Sequence, residues 1–292
     1  MASRCRHGCR NRPVNGVIEH QATRDGEMAA MIRNLTLVLI LVFASAAFAD
    51  VTPSASSGAW QALRANFYGT REIGEVDEKL MSLTAPASTP DPTATPVVLH
   101  FGANAAGKVK QVRVIIDHNP SPLAASMQLA PGAPIDEIEL RLRIDRATSV
   151  RAIAETNDGR LEMRSVWIDA SGGCSAAPSA ASGGKLGEIR FRPSPDAKSL
   201  QVSIRHPNHS GFQIDPRSGD AIPPHYVSHI RLSAGGKTLL EADTGISISE
   251  NPTIRIASDR ALTAPVTIDA VDSQQAHFTA TWNGSAANGG GL

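Results

Sequence analysis

The stretch "IDEIELRLRID" constrains the fold more than any other part of this chain. Ile138, Leu140, Leu142 and Ile144 alternate with Glu137, Glu139, Arg141, Arg143 and Asp145. A period of two with charges on one side belongs to a strand with one face on a core and the other in water. "VKQVRVIID" repeats the pattern with Val112, Val114 and Ile116, and "TSVRAIAET" runs into "RLEMRSVWID" through the turn "NDG" at Asn157 to Gly159. After a Gly/Ser/Ala-rich interval the pattern restarts in "LGEIRFRP", "SLQVSIRHP", "HYVSHIRLSA", "KTLLEAD", "TIRIAS", "PVTIDAVD" and "AHFTATW", with "AGGK" as another hairpin turn. Many short strands with regular turns predict an all-β chain of antiparallel sandwiches. Helical spacing occurs in "AWQALRANFYG", through Trp60, Leu63 and Phe67. The proline-rich "TAPASTPDPTATP" from Thr84 predicts a linker or edge loop.

Two strand runs split by a linker suggest two sandwiches of roughly 100 residues each. The expected boundaries are an upstream extension plus leader over 1–49, a first sandwich over 50–170, an arm over 171–184, a second sandwich over 185–284 and a disordered tail over 285–292. With 28 basic and 28 acidic residues the formal charge is zero. That balance excludes the basic footprint of a nucleic-acid binder and gives no polybasic membrane contact.

In "MIRNLTLVLILVFASAAFAD", Arg33 precedes an apolar run from Leu35 to Phe43 that is short for a bilayer span, and Ala47-Phe48-Ala49 reads as a cleavage signal. Export to the periplasm with cleavage after Ala49, and no stable membrane anchor, is the expectation. The polar stretch before Met31 suggests that translation starts at Met28 or Met31, and its Cys5, His7 and Cys9 make a weak metal site.

Processing would leave Cys174 as a single cysteine in "DASGGCSAAPSAASGGKLG". An unpaired thiol in an oxidising compartment suggests an intermolecular bond or a reactive group. Gly172, Gly173 and Ser175 offer it no core strand, so the expectation is an exposed thiol on a flexible arm, projecting about 10 Å beyond the sheet. At a pKa of about 8.5 a few per cent would be thiolate, enough for slow exchange with a partner enzyme. No oriented base accompanies it, so independent catalysis is not expected.

No G-x-S-x-G, phosphate loop, dinucleotide fingerprint or haem motif is present, and no cofactor is expected. His206, His209, His225 and His229 lie close in sequence. Four imidazoles could bind a divalent metal if their segments were neighbours, but turn and surface histidines on one sandwich edge are the preferred reading, with no metal assigned.

The chain resembles the SoxY and SoxZ sulfur-carrier families joined end to end. The SoxY resemblance rests on "IDHNPSPLAASMQL", on "LRLRIDRATSVRAIAETNDGRLEMRSVWIDASGGC" and on its Gly-Gly-Cys. The SoxZ resemblance rests on "IRHPNHSGFQIDPRSGDAIPPHYVSHIRLSAGGK" and "ISISENPTIRI". It implies two immunoglobulin-like sandwiches in tandem that partner each other. It also implies covalent attachment of sulfur intermediates at Cys174, with Gly172, Gly173 and Ser175 in a flexible approach, and delivery to periplasmic enzymes of thiosulfate oxidation. The chain departs from the family where Ser175 replaces a glycine and the sequence continues, and at Asn208 and His209. Fused forms resemble carriers associated with quinoprotein (PQQ) alcohol dehydrogenases, so an accessory protein of such a dehydrogenase is the alternative. A sandwich used for adhesion or chaperoning is a third reading.

Overall fold

The computed structural model describes residues 58–102, 105, 107–179 and 184–284. The expected leader, the extension before it and the expected tail over 285–292 lie outside the described residues.

Among the described residues, fifteen strands form two sheets. The nine-stranded sheet runs, edge to edge, β1 (Ile73–Glu75), β8 (Leu161–Ile168), β7 (Thr148–Thr156), β4 (Val109–Ile116), β5 (Leu123–Leu129), β12 (Lys237–Thr244), β11 (Val227–Ala234), β14 (Val266–Asp272) and β15 (His277–Trp282). The six-stranded sheet runs β2 (Met81–Thr84), β3 (Thr95–Phe101), β6 (Glu137–Leu142), β13 (Thr253–Ala257), β10 (Ser199–Ile204) and β9 (Ile189–Pro193). The tandem sandwiches expected from the alternation are present, one before the cysteine turn and one after it. They join edge to edge. β5 pairs antiparallel with β12, placing Met127 opposite Ala242, and β6 pairs antiparallel with β13, placing Leu140 opposite Ile254. Each sheet therefore crosses from one half to the other without a break, and one apolar core extends from Val76 to Trp282.

The turns follow their residue types. "AGGK" closes β11 onto β12 with φ of 54° at Gly235 and 77° at Gly236, backbone that side-chain-bearing residues rarely adopt. "NDG" joins β7 to β8.

A helix, α1 (Gly58–Tyr68), covers the outer face of the nine-stranded sheet. Trp60 and Tyr68 pack with Ile115, Ile153 and Leu161 in a second apolar cluster. This is why Ile115, out of phase with Val112, Val114 and Ile116, is also fully buried. Beneath α1, Arg151 Nε donates to Asp117 Oδ1 at 2.8 Å and its terminal nitrogen to Oδ2 at 2.7 Å, with the guanidinium 4.5 Å from the Trp60 ring centre. Removing either partner would strand a buried charge, at a cost of about 3–5 kcal/mol.

The alternation of "IDEIELRLRID" holds through β6 and then fails at one residue. Ile138, Leu140, Leu142 and Ile144 are all buried, as expected. Arg143, expected in water, is only 2% exposed. The strand ends at Leu142, and the backbone past it turns beneath the cysteine segment and takes the guanidinium with it.

Candidate functional site: the cysteine turn and its seat

Cys174 is a free thiol, and it is 1% exposed. This corrects the expectation of an exposed group on a projecting arm. The turn that carries it lies in a seat built by both halves. From the first half, the carbonyls of Asp145 and Ile144 accept the N–H groups of Gly172 (2.7 Å) and Gly173 (2.9 Å), and an Arg143 terminal nitrogen donates to Gly173 O at 3.3 Å. From the second half, Ser210 Oγ donates to the carbonyl of Cys174 itself at 2.5 Å, and Gln213 Nε2 donates to Ala176 O at 2.9 Å. The turn closes on itself through Ala176 N–H to Gly172 O at 3.0 Å. Ser179 adds two bonds to the Glu250 carboxylate.

The glycines serve docking as well as freedom. Gly172 has φ of 81°, which opens the turn toward the seat. At Gly173 an added Cβ would lie 2.2 Å from Pro92 O and 2.6 Å from Ile144 O, so only glycine fits. Ser175 is exposed at the rim. The three residues expected to form a free approach are thus two docked glycines and one solvent-facing serine.

Burial, reinforced by the Asp145 carboxylate, pushes the Cys174 thiol up to about 12, against an opposing pull from the Arg143 charge. The docked sulfur is protonated at neutral pH, and no group oriented as a base touches it among the contacts of the turn. The seat protects the sulfur. The turn would have to leave the seat before solvent could reach the sulfur.

Apart from Glu250, the second half's contribution comes from the loop between β10 and β11. Asn208, with φ of 46°, is fully buried. Its side chain donates to Ile248 O and accepts the N–H of Val227, and its carbonyl accepts from Arg143 at 3.3 Å. Ser210 and Gln213 are buried and face the turn, while Phe212 (48%) and Ile214 (51%) point outward.

Two of the four histidines meet, together with an aspartate that the sequence did not single out. His206 Nε2, His225 Nε2 and Asp272 Oδ2 lie 2.8 to 3.4 Å apart. The donor set has the composition of a metal site, but its hydrogen bonding does not fit one. His206 Nδ1 accepts the N–H of Asn208 at 3.1 Å, so the proton of the neutral ring sits on Nε2, the atom a metal would need free. Asp272 Oδ1 is held by the N–H groups of Gln274 and Ala276. Burial, with His225 beside it, lowers His206 to about 4, so the ring is neutral and donates to the carboxylate. The trio anchors the start of the loop that holds the cysteine turn. His209 turns to Gln213, and His229 pairs with Asp243 in the open sheet face.

Comparison with known proteins matches residues 64–174 to the sulfur oxidation protein SoxY and residues 192–283 to the sulphur oxidation protein SoxZ. The first match ends on Cys174. No curated protein matches the chain. Among solved structures, the chain is similar to the sulfur carrier protein SoxY of Chlorobium limicola f thiosulfatophilum, at 18% identity and a TM-score of 0.32, over 39% of this chain and 97% of that one. It is also similar to a variant of the superoxide reductase (neelaredoxin) of Ignicoccus hospitalis, at 13% identity and a TM-score of 0.27, over 31% of this chain and 78% of that one.

Proposed function

Because the chain belongs to the SoxY and SoxZ sulfur-oxidation families, joined in one polypeptide, we propose that it is an exported carrier that binds sulfur intermediates covalently on Cys174 and presents them to periplasmic enzymes of thiosulfate or sulfur oxidation. The observation that carries this reading is the seat of Cys174. Its thiol ends the SoxY-matched region and sits in a turn held by hydrogen bonds to backbone carbonyls and to the side chains of Arg143, Ser210, Gln213 and Glu250. Such a turn can be lifted out and reset without breaking the apolar core.

In the seat the thiol is neutral and shielded from stray oxidants. Lifted out on Gly172 and Gly173, it returns to an ordinary acidity and a partner's cleft can receive it. Joining it to thiosulfate forms an S–S bond and releases one proton and two electrons, so the loading enzyme must supply an electron acceptor. The chain contributes the nucleophile and the docking surfaces, and the chemistry belongs to its partners.

Intact-mass spectrometry of unreduced mature protein from the native periplasm, with and without thiosulfate, tests the reading. The expected result is a set of sulfur-containing mass shifts that map to Cys174, vanish on reduction and are lost in Cys174→Ser. A clean free thiol under both conditions would overturn the carrier role in favour of an accessory binding role beside a quinoprotein dehydrogenase.

A further inference from the structure

Among the described residues two arginines are fully buried, and they are satisfied very differently. Arg151 has a carboxylate of its own, Asp117, held through three N–H···O contacts of 2.7 to 3.1 Å. Arg143 has none. Among the described residues no carboxylate lies within ion-pairing distance of it, and its hydrogen bonds go to two neutral carbonyls, Gly173 O and Asn208 O, both at 3.3 Å. Its Nε–H is buried with no partner. Glu250 and Asp91 act on it only through space, and the nearby thiol is neutral. Two of five guanidinium N–H donors are thus used, and those at the long end of the normal range.

A buried cation in this condition is costly unless an anion completes it. The acceptor that is missing must reach a guanidinium that already touches Gly173 O, one residue from Cys174, and Asn208 O. We propose that Arg143 is the anion-binding residue of the cysteine turn and takes the sulfonate end of a group borne on the Cys174 sulfur, as in Cys–S–SO3⁻ or Cys–S–S–SO3⁻. This rests on the carrier reading and goes beyond it, because it makes docking depend on the cargo. A sulfonate stays ionised at any working pH and offers two oxygens to the planar guanidinium fork. An uncharged disulfide cannot do so and leaves Arg143 as it is with the free thiol. Cargo ending in an oxidised, anionic sulfur is therefore held in the seat, and neutral adducts are released more readily.

The test uses the full mature chain loaded chemically. Tetrathionate places the anionic group: the thiolate attacks one inner sulfur, giving Cys–S–S–SO3⁻ and expelling thiosulfate. Methyl methanethiosulfonate places a neutral one, giving Cys–S–S–CH3 and expelling methanesulfinate. Loading is done in dilute urea to open the turn, followed by return to buffer and confirmation of single adducts by mass. The readout is the rate at which a water-soluble phosphine cleaves each adduct, each divided by the rate for the same adduct on an unstructured peptide spanning the turn. The anionic adduct should be protected at least about tenfold more than the neutral one in the wild type. That difference should vanish in Arg143→Met and survive in part in Arg143→Lys. Equal protection of the two adducts in the wild type overturns the proposal even if Arg143→Met fails to fold, as does a difference that persists in a folded Arg143→Met. Since the adducts are made by reagents, failure here would leave the carrier reading standing, which is decided by the mass of the native protein.

Discussion

Removing the clamp from the second half should expose the thiol by an amount that can be worked out. The perturbation is Ser210→Ala with Gln213→Ala, which deletes the bonds to Cys174 O and Ala176 O while leaving the turn's own sequence intact. An acid held at about 12 instead of its ordinary 9 is ionised about a thousandfold less at about pH 7.5, and the sulfur is inaccessible in any case, so alkylation must proceed through the lifted turn. Each clamp bond contributes about 1 kcal/mol net, so losing both should raise the alkylation rate roughly 30-fold. The raised acidity also fixes the pH profile. Docking favours the protonated thiol, so its stabilisation is complete below about 9 and is lost as pH rises from there toward about 12, by about 4 kcal/mol in total. Iodoacetamide kinetics from about pH 6 to 10, against a peptide of the turn, are the assay. The peptide's rate should level off near the ordinary pKa of about 9, whereas the folded protein's should keep climbing tenfold per pH unit to about 10. A wild-type rate within a factor of about two of the peptide's, with a break near 9, would refute the docked thiol.

Three further outcomes are expected. Gly173→Ala should raise the alkylation rate to nearly that of the peptide, because its Cβ would fall inside contact with Pro92 O and Ile144 O, while Gly172→Ala, which meets nothing but has φ of 81°, should cost only about 1 kcal/mol of docking and a rate change of roughly fivefold. Thermal unfolding should show stability falling as pH drops from about 6.5 toward 4, by up to roughly 3 kcal/mol, because unfolding frees His206 to take a proton that the buried ring refuses; His206→Gln should flatten that slope.

The sandwiches were legible because a strand with one wet face writes its orientation into every second residue, as Ile138 to Leu142 do. Positions where the exposed face is itself covered carry no such mark. Arg143 continues the charged phase of β6 and is nevertheless buried, since what covers it is a turn some thirty residues further on. Glycine misled for a different reason. A chain that must be free to move and a chain that must pass within 2.2 Å of a carbonyl both select against a side chain, so "SGGC" reads alike for a loose arm and a seated one. The sequence singled out Cys174, and it did not show that the thiol is buried. The His206–His225–Asp272 contact escaped notice because Asp272 lies 47 residues past His225 and meets it through the pairing of β11 with β14.

The two junctions, β5 with β12 and β6 with β13, set the arithmetic of partnership. Two separate polypeptides meeting along these edges would obey mass action, and dilution would part them. Here each half meets the other at a fixed effective concentration, on the order of millimolar for a short tether. The ratio of the halves cannot drift from one to one. The peptide that joins them also bears the thiol, so lifting the turn out of its seat slackens the tether while the paired edges keep hold. Under the carrier role proposed above, the sulfur would reach a partner without release of the half that must take it back.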